Sequence, residues 1–304
     1  MLAIGKAVAI GFSASTTEDT AFSESAEATA IQGEIAAVEA EFNPDSQATI
    51  TIRGYDVSHR LYRGRHNRSF QNKKDSDIVK DIAREVGISL GTVDDTGGPY
   101  GYEDINNKSG YVFQTDRTNM EFLRDRAARH GFEMFVTGGK LHFRKPKADD
   151  KLELKWLQDI QKFQARITSS EQVSGVEVRA WDYNQKQAIV ARENSPSQEL
   201  ITANEFGKGK ETSSAFNGQP SSPTLQVVNQ IFSSQAEGAK IAQALCDETG
   251  RDFVRAEATA TGNPKLCPGK AIALSDLGKY SGTYYLTQVR HHFVAGEYTT
   301  DFSV

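Results

Sequence analysis

Residues 48–87 read ATITIRGYDVSHRLYRGRHNRSFQNKKDSDIVKDIAREVG, and the pattern of apolar residues changes along this stretch. Residues 48–55 alternate apolar and polar side chains, as a half-buried β-strand does. Residues 78–86 instead repeat apolar side chains at the spacing of one helical face, and Gly87 follows where a left-handed C-terminal residue belongs. The stretch therefore predicts a strand, a charged connection and an amphipathic helix.

Strand patterns occupy most of the remaining chain. Short alternating segments separated by polar turns are typical of antiparallel sheets that curl into barrels or sandwiches. The sequence therefore predicts a mainly β fold with α+β insertions, and its predicted strands lie within 2–12, 31–38, 48–55, 152–156, 163–168, 175–183, 187–191, 253–261, 271–274, 284–293 and 298–302. Polar loops are predicted at 13–30 and 206–224.

Two further helices are predicted from their capping residues. Thr118 and Glu121 form a capping-box pattern, and Gly131 ends the apolar stripe that follows. A hairpin then turns at 137–140, so residues 56–146 form an α+β insertion. The third helix begins at Ser233 or Ser234 and is predicted to end at Gly250.

Composition limits the function classes. The chain has 304 residues, enough for about two domains. Its formal net charge of -5 is too near neutral for a surface built throughout to bind nucleic acid or an anionic bilayer. Two cysteines, Cys246 and Cys267, cannot form a disulfide framework and are interpreted as reduced thiols. No apolar run reaches the ~18–20 residues of a membrane span, and residues 2–12 lack the pattern of a signal peptide.

Catalytic signatures are missing from the sequence. It contains no GxSxG, HExxH, P-loop or strand-associated GxGxxG motif. His291 and His292 are adjacent, so on a strand they point to opposite faces and cannot readily bind one metal ion together. The carboxylate pairs Asp75/Asp77 and Asp94/Asp95 are interpreted as acids of a first helical turn and of a turn. We therefore predict no enzyme activity, no catalytic residue, no cofactor and no metal.

A dense basic segment lies between residues 57 and 70. It contains four arginines, which are Arg60, Arg63, Arg65 and Arg68. These side chains could pair with carboxylates across a subunit interface, form a solvated sheet edge, or bind nucleic acid. We keep the four arginines as candidate subunit-interface residues, with the other two interpretations open.

Several separated motifs, in one order, resemble the baseplate hub family. This family comprises phage late-control D proteins, the hub part of VgrG proteins and the equivalent spike proteins of extracellular contractile injection systems. The resemblance is close over residues 48–146 and looser to Val304. The motifs that carry it are GYDVSHRLYRGR (54–65), DSDIV (75–79), QTD (114–116), NMEFL (119–123), GGKLHF (138–143) and CPGK (267–270).

The resemblance implies a non-enzymatic structural protein with two β-barrel-like tail-hub domains. Residues 1–55 and 147–200 would form the first, residues 56–146 the insertion, and residues 201–304 the second, with one helix and terminal strands. Members assemble as a homotrimer that joins a hexameric inner tube protein to a spike or OB-fold protein, beside other baseplate proteins. The implied partners include no nucleic acid directly. Such particles are assembled in the bacterial cytoplasm and are then released or act at the envelope.

Two departures from the family pattern are expected. Members usually carry strands before the segment that matches residues 2–12, so the first barrel is expected to be incomplete. The chain also ends about where a spike follows in fused members. Two alternative functions stay open: a peptidoglycan-degrading hub enzyme, and a carbohydrate- or nucleic-acid-binding β protein.

Overall fold

A computed structural model describes residues 3–11, 29–44, 48–98, 110–148, 151–183, 185–197, 206, 212 and 223–304. Within these residues strands dominate and helices are inserted between them, which confirms the predicted mainly β class. The helices are α1 (Asp75–Glu85), α2 (Asn119–His130) and α3 (Gln235–Arg251). The strands are β1 (Ala7–Gly11), β2 (Thr29–Glu41), β3 (Thr49–Tyr55), β4 (His66–Gln71), β5 (Ser89–Val93), β6 (Tyr111–Arg117), β7 (Glu133–Thr137), β8 (Lys140–Arg144), β9 (Leu152–Lys155), β10 (Ile160–Ile167), β11 (Gly175–Asp182), β12 (Gln187–Glu193), β13 (Thr224–Val227), β14 (Val254–Thr261), β15 (Ala271–Ser275), β16 (Gly282–Tyr285), β17 (Gln288–Val294) and β18 (Glu297–Ser303).

The first three strands form an antiparallel sheet in the order β1-β2-β3. They confirm the strands predicted near 2–12, 31–38 and 48–55. Most of the loop predicted at 13–30 lies outside the described residues, and its last two residues belong to β2. A bulge between Ile35 and Ala37 shifts the register of β2 against β3.

The α+β unit begins with a short 3-10 helix, Val57–Tyr62, and continues through β8. It contains the β4-β6 pair and the sheet β5-β8-β7, with α1 and α2 packed beside them. Helix α2 starts at the predicted capping box, in which the Thr118 hydroxyl accepts from the Glu121 amide and the Glu121 carboxylate accepts from the Thr118 amide. It ends at Gly131, whose φ of 64° supplies the left-handed cap. The core of the unit is formed by Leu61, Phe70, Ile78, Val79, Ile82, Ile88, Val112, Met120, Phe122, Leu123, Leu141 and Phe143.

Three further sheets make up the C-terminal part of the described chain. Their orders are β10-β14-β18-β17, β16-β15-β9 and β12-β11-β13, and α3 packs on the last of them. Hydrogen bonding joins β9 to β15 and β10 to β14. Strands β9 and β10 lie in the segment predicted for the first barrel, and their partners β15 and β14 lie in the segment predicted for the second.

None of the six sheets closes into a barrel within the described ranges. The two barrel-like domains therefore stay predictions. So do their bounds, which are 1–55 with 147–200 for the first, 201–304 for the second, and 56–146 for the insertion. Most of the loop predicted at 206–224 lies outside the described residues.

Two boundary predictions were wrong. Helix α3 begins after the predicted Ser234 cap but continues through Gly250 to Arg251. A Cβ at Gly250 would lie 2.9 Å from Pro196 Cγ, so this glycine allows close packing rather than ending the helix. The strand predicted at 284–293 is divided, because β16 pairs with β15 while β17 pairs with β18. The chain crosses between these sheets at the buried Leu286.

Candidate assembly surface

One face of the β1-β2-β3 sheet is uniformly apolar. Cross-strand pairs place Ile10 beside Ile31, Val38 beside Ile52, and Ala40 beside Ile50. The bulge in β2 keeps both halves of this strand in phase with β3, because Ile35 and Val38 pair with Gly54 and Ile52. We call Ile10, Ile31, Val38, Ile50 and Ile52 the isoleucine face.

The described residues cover this side of the sheet at Ile35, which is 2% exposed, but not at the isoleucine face. Its five side chains are between 39% and 61% exposed. The opposite face of the sheet is polar, with Thr49 and Thr51 of β3 opposite Glu41 and Glu39 of β2. A strand that alternates Ile with Thr specifies one buried face, and the described residues leave part of that face exposed.

The polar face is anchored to the α+β unit by a charged cluster. Arg60 donates to the Glu34 carboxylate, and His59 Nε2 lies 2.7 Å from Glu34 Oε2. Arg60 also donates to the Gly87 carbonyl at 2.6 Å, which links the cluster to the end of α1. Hydrogen bonds from Arg60 and His59 lower the pKa of Glu34 to about 2. The ionised carboxylate therefore holds the sheet against the 3-10 helix at neutral pH.

The arginines of the basic segment lie in different surroundings. Arg60 forms an ion pair with Glu34. Arg65 Nε donates to Asp116 at 3.0 Å, and Arg68 donates to Glu85, Gln114 and Asn119. Arg63 is exposed. The segment is thus not one open basic face, although Arg60, Arg63, Arg65 and Arg68 remain candidate interface residues.

A buried charge cluster inside the α+β unit was missed by sequence reasoning. Asp75 is 2% exposed and accepts from Arg126 Nε at 2.7 Å and Nη2 at 2.8 Å. His130 Nε2 lies 2.6 Å from Asp75 Oδ2. Asp75 does stand in the first turn of α1, as predicted, but its carboxylate binds α2. Since the partners lie 51 and 55 residues away, no local pattern could have shown them.

Burial and the charged partners of Asp75 shift its pKa in opposite directions. Desolvation alone raises the pKa of this carboxyl. The hydrogen bond from His130 and the charge and hydrogen bonds of Arg126 outweigh it, so the pKa of Asp75 lies below its ordinary value. Asp75 is therefore the anion that fixes α1 to α2.

A second buried ion pair joins the α+β unit to α3. Arg129 Nη2 donates to Glu237 Oε1 at 2.7 Å and to the Ile231 carbonyl at 2.7 Å. The Glu237 side chain is 4% exposed. Because this bridge links residues 108 positions apart, it fixes how α2 sits against α3.

The described residues offer no constellation for catalysis at a metal. Among them, no three His, Cys, Asp or Glu side chains are grouped to hold an ion. His291 and His292 point apart: His291 Nδ1 lies 3.0 Å from Thr300 Oγ1, whereas His292 Nε2 lies 3.1 Å from Asp301 Oδ2. Neither Cys246 nor Cys267 is part of a disulfide bond. No helix in the described ranges has the length and apolar character needed to cross a membrane.

A family model, the Alg8 N-terminal domain, matches residues 20–295. The chain belongs to the Alg8 N-terminal domain family. No curated protein matches this family member.

Solved structures share the fold of this Alg8 N-terminal domain family member at low sequence identity. The 43 kDa tail protein of prophage MuSo2 from Shewanella oneidensis is similar with a TM-score of 0.65 and 15% identity, over 90% of this chain and 78% of that protein. A tail protein from Neisseria meningitidis has a TM-score of 0.62 and 14% identity, over 90% of this chain and 79% of its own.

A third similar structure is an Escherichia coli component of the type VI secretion system, which itself is similar to tail proteins of bacteriophage T4. Its TM-score is 0.55 at 13% identity, and the match covers 90% of this chain and 59% of that protein. The described chain thus has the fold of phage tail proteins.

Proposed function

We propose that this chain is a structural component of a phage-tail-like particle. It would act as the trimeric hub adaptor between a hexameric inner tube and a spike, in a contractile injection system or a phage tail baseplate. The observation that carries the proposal is the tail-protein fold over 90% of the chain. The exposed isoleucine face supports it, because an assembly component needs a surface that only a partner covers.

The proposed role is non-enzymatic. Two buried ion pairs, Arg126 with Asp75 and Arg129 with Glu237, hold elements together inside the α+β unit and across α2 and α3. A third buried carboxylate, Glu177, pairs with Arg179 and Arg192 in the β11-β12 pair. The internal pairing of Arg60, Arg65 and Arg68 reduces the free positive charge that a nucleic-acid surface would need. Neither alternative function therefore has an observation in its favour.

The proposed partners are two further copies of this chain, the inner tube protein, the spike or OB-fold protein and other baseplate proteins. Assembly would take place in the bacterial cytoplasm, and the chain would leave with the particle or act at the envelope. The proposed hub consists of two barrel-like domains, and the α+β unit is the insertion between their strands.

The test of the hub proposal is the mass and shape of the purified full chain. Light scattering across a concentration series is expected to give about three times 33.4 kDa at high concentration, because association follows mass action. Electron micrographs of the same sample are expected to show a threefold ring with a central channel. A single-chain mass at every concentration, with no ring, would remove the trimeric hub from consideration.

The role of the basic segment has its own test. Changing Arg63 and Arg65 together to alanine is expected to weaken trimer or baseplate assembly without changing the melting curve, since both side chains lie on the surface. Arg84→Ala on the exposed side of α1 is the matched control. Unchanged assembly of the double variant, with a normal melting curve, would exclude this role.

A further inference from the structure

We propose that His142 is a proton-dependent link between strands β5 and β8: its neutral imidazole closes a bulge in the sheet of the α+β unit, and protonation opens it. This inference is independent of the proposed hub function. The register of the two strands shifts between Leu90 and Val93. Strand β5 therefore has two residues, Gly91 and Thr92, opposite His142 of β8. Such a bulge disrupts the ladder of backbone hydrogen bonds locally.

The imidazole of His142 replaces a backbone acceptor at this bulge. The Thr92 N–H donates to His142 Nδ1 at 3.1 Å. A backbone N–H only donates, so Nδ1 carries its lone pair and the proton of the neutral ring lies on Nε2. In an imidazolium both ring nitrogens are donors. Protonation therefore turns the acceptor of the Thr92 N–H into a second donor and breaks the link.

The ring is held in place from two sides. A Cβ at Gly91 would lie 2.3 Å from His142 Cε1, so any side chain at this position would displace the ring. From β7, Phe135 stacks on the imidazole, with ring centroids 5.0 Å apart and planes within 7°. A Cβ at Gly269 would lie 3.0 Å from Phe135 Cζ. The imidazole therefore belongs to the contact between the α+β unit and the segment before β15.

The charges on the neighbouring strands disfavour an imidazolium. Burial, and then the charges of Arg144 and Lys140 on the same strand, lower the pKa of His142 below its ordinary value of 6.5. Strand β8 itself carries no carboxylate. The carboxylates of the flanking strands have other partners, since Glu133 of β7 accepts from Arg144 Nε at 2.9 Å and Asp94, after β5, accepts from a backbone N–H at 3.0 Å.

The C-terminal segment that packs on Phe135 adds charge of the same sign. Lys270 and Arg144 both act on the thiol of Cys267. Tyr285 donates its hydroxyl hydrogen to Glu133, and its pKa is raised far above its ordinary value, so it adds no negative charge. A protonated His142 would therefore stand among cations, while Glu133 is held by Arg144 and Tyr285.

The pH dependence has a defined sign. Because the pKa of His142 is lower in the folded state, its stabilisation is present above 6.5 and is lost as the pH falls from 6.5 through the lower folded value. Between about pH 8 and about pH 4 the Thr92 amide is expected to lose about tenfold in hydrogen-exchange protection, which corresponds to one net hydrogen bond. The Glu121 amide, bonded to the Thr118 hydroxyl in the same unit, is the internal reference and is expected to keep its protection.

The experiment follows the His142 ring and the Thr92 amide of the full chain by NMR across this pH range. His142→Asn offers an amide oxygen that accepts at every pH, so the protection of Thr92 is expected to become independent of pH. His142→Phe keeps a ring against Phe135 but has no acceptor, so the tenfold loss is expected already at about pH 8. The matched control is His292→Asn, because His292 is partly exposed and pairs with Asp301 in a different sheet.

The inference is supported if Thr92 loses protection in the unaltered chain and in His292→Asn, in step with the titration of His142, but not in His142→Asn. It is overturned if Thr92 keeps its protection while His142 titrates, or if His142 does not titrate in this range. The same loss in His142→Asn also overturns it, because another group is then the cause. If a His142 variant loses its circular dichroism spectrum, the titration and the Thr92 protection of the unaltered chain decide by themselves.

Discussion

The buried carboxylate Asp75 allows a sharp test of how the α+β unit is held together. The change is Asp75→Asn, which keeps the size of the side chain and removes its charge. In the folded protein Asp75 receives two bonds from Arg126 and lies against His130, and all three side chains are less than a tenth exposed. The amide cannot accept both guanidinium bonds, so Arg126 becomes a buried charge without its anion.

The expected loss follows from this burial. Removing one partner of a buried ion pair costs about 3–5 kcal/mol in the free energy of unfolding. If Asp75 were only an acid in the first turn of a helix, the loss would be about 0.3–1 kcal/mol. The matched control is Asp77→Asn, because Asp77 stands in the same turn and pairs with Lys80 at the surface, so its loss is expected to stay at about 1 kcal/mol or less.

The pH dependence gives a second, independent readout. The pKa of Asp75 is lowered in the folded state, so its stabilisation is present above the ordinary value of 3.8 and is lost as the pH falls through the lower folded value. The difference in stability between the unaltered chain and Asp75→Asn is therefore expected to be complete at pH 7. It should shrink only below about pH 4.

The assay is urea unfolding followed by circular dichroism, with amide hydrogen exchange of α1 and α2 to locate the loss. Hydrogen exchange is needed because a chain with several sheets need not unfold in one step. The double variant Asp75→Asn with Arg126→Met is expected to recover part of the loss, since it removes both charges. An Asp75→Asn chain that matches Asp77→Asn in both measurements would refute the buried-anchor reasoning.

Three further outcomes are expected. Glu34→Gln removes the anion held by Arg60, so the stability that the unaltered chain loses as the pH falls from about 4.5 towards about 2 should be absent from the variant in acid-unfolding curves. Thr118→Ala breaks the capping box of α2 and is expected to cost about 1 kcal/mol in urea unfolding, while a Thr118→Ser variant that keeps the cap should lose much less. Glu237→Gln leaves Arg129 without its carboxylate, and hydrogen exchange should speed up in α3 and α2 together; faster exchange in α3 alone would show that the bridge does not couple them.

The local elements of this protein could be read from its sequence because their causes are local. The capping box at Thr118, the left-handed Gly131 and the alternation of Ile and Thr in β3 act within a few residues, and each is present as predicted. The two predictions that failed lie where residues distant in the sequence come into contact. Gly250 lies within the helix and leaves room for Pro196 to pack against it, and the strand predicted at 284–293 divides because its two halves pair in different sheets.

The sequence by itself determined the mainly β class, the helical insertions and the presence of an arginine-rich segment. Only the tertiary structure decided what the charged residues do, because ion pairs depend on which side chains meet in space. It gave Asp75 its partners on α2, paired three of the four arginines with carboxylates of the same chain, and linked Arg129 to α3. Among the described residues it also left the isoleucine face exposed, since a sequence pattern specifies that a face is suited to burial but not which residues cover it.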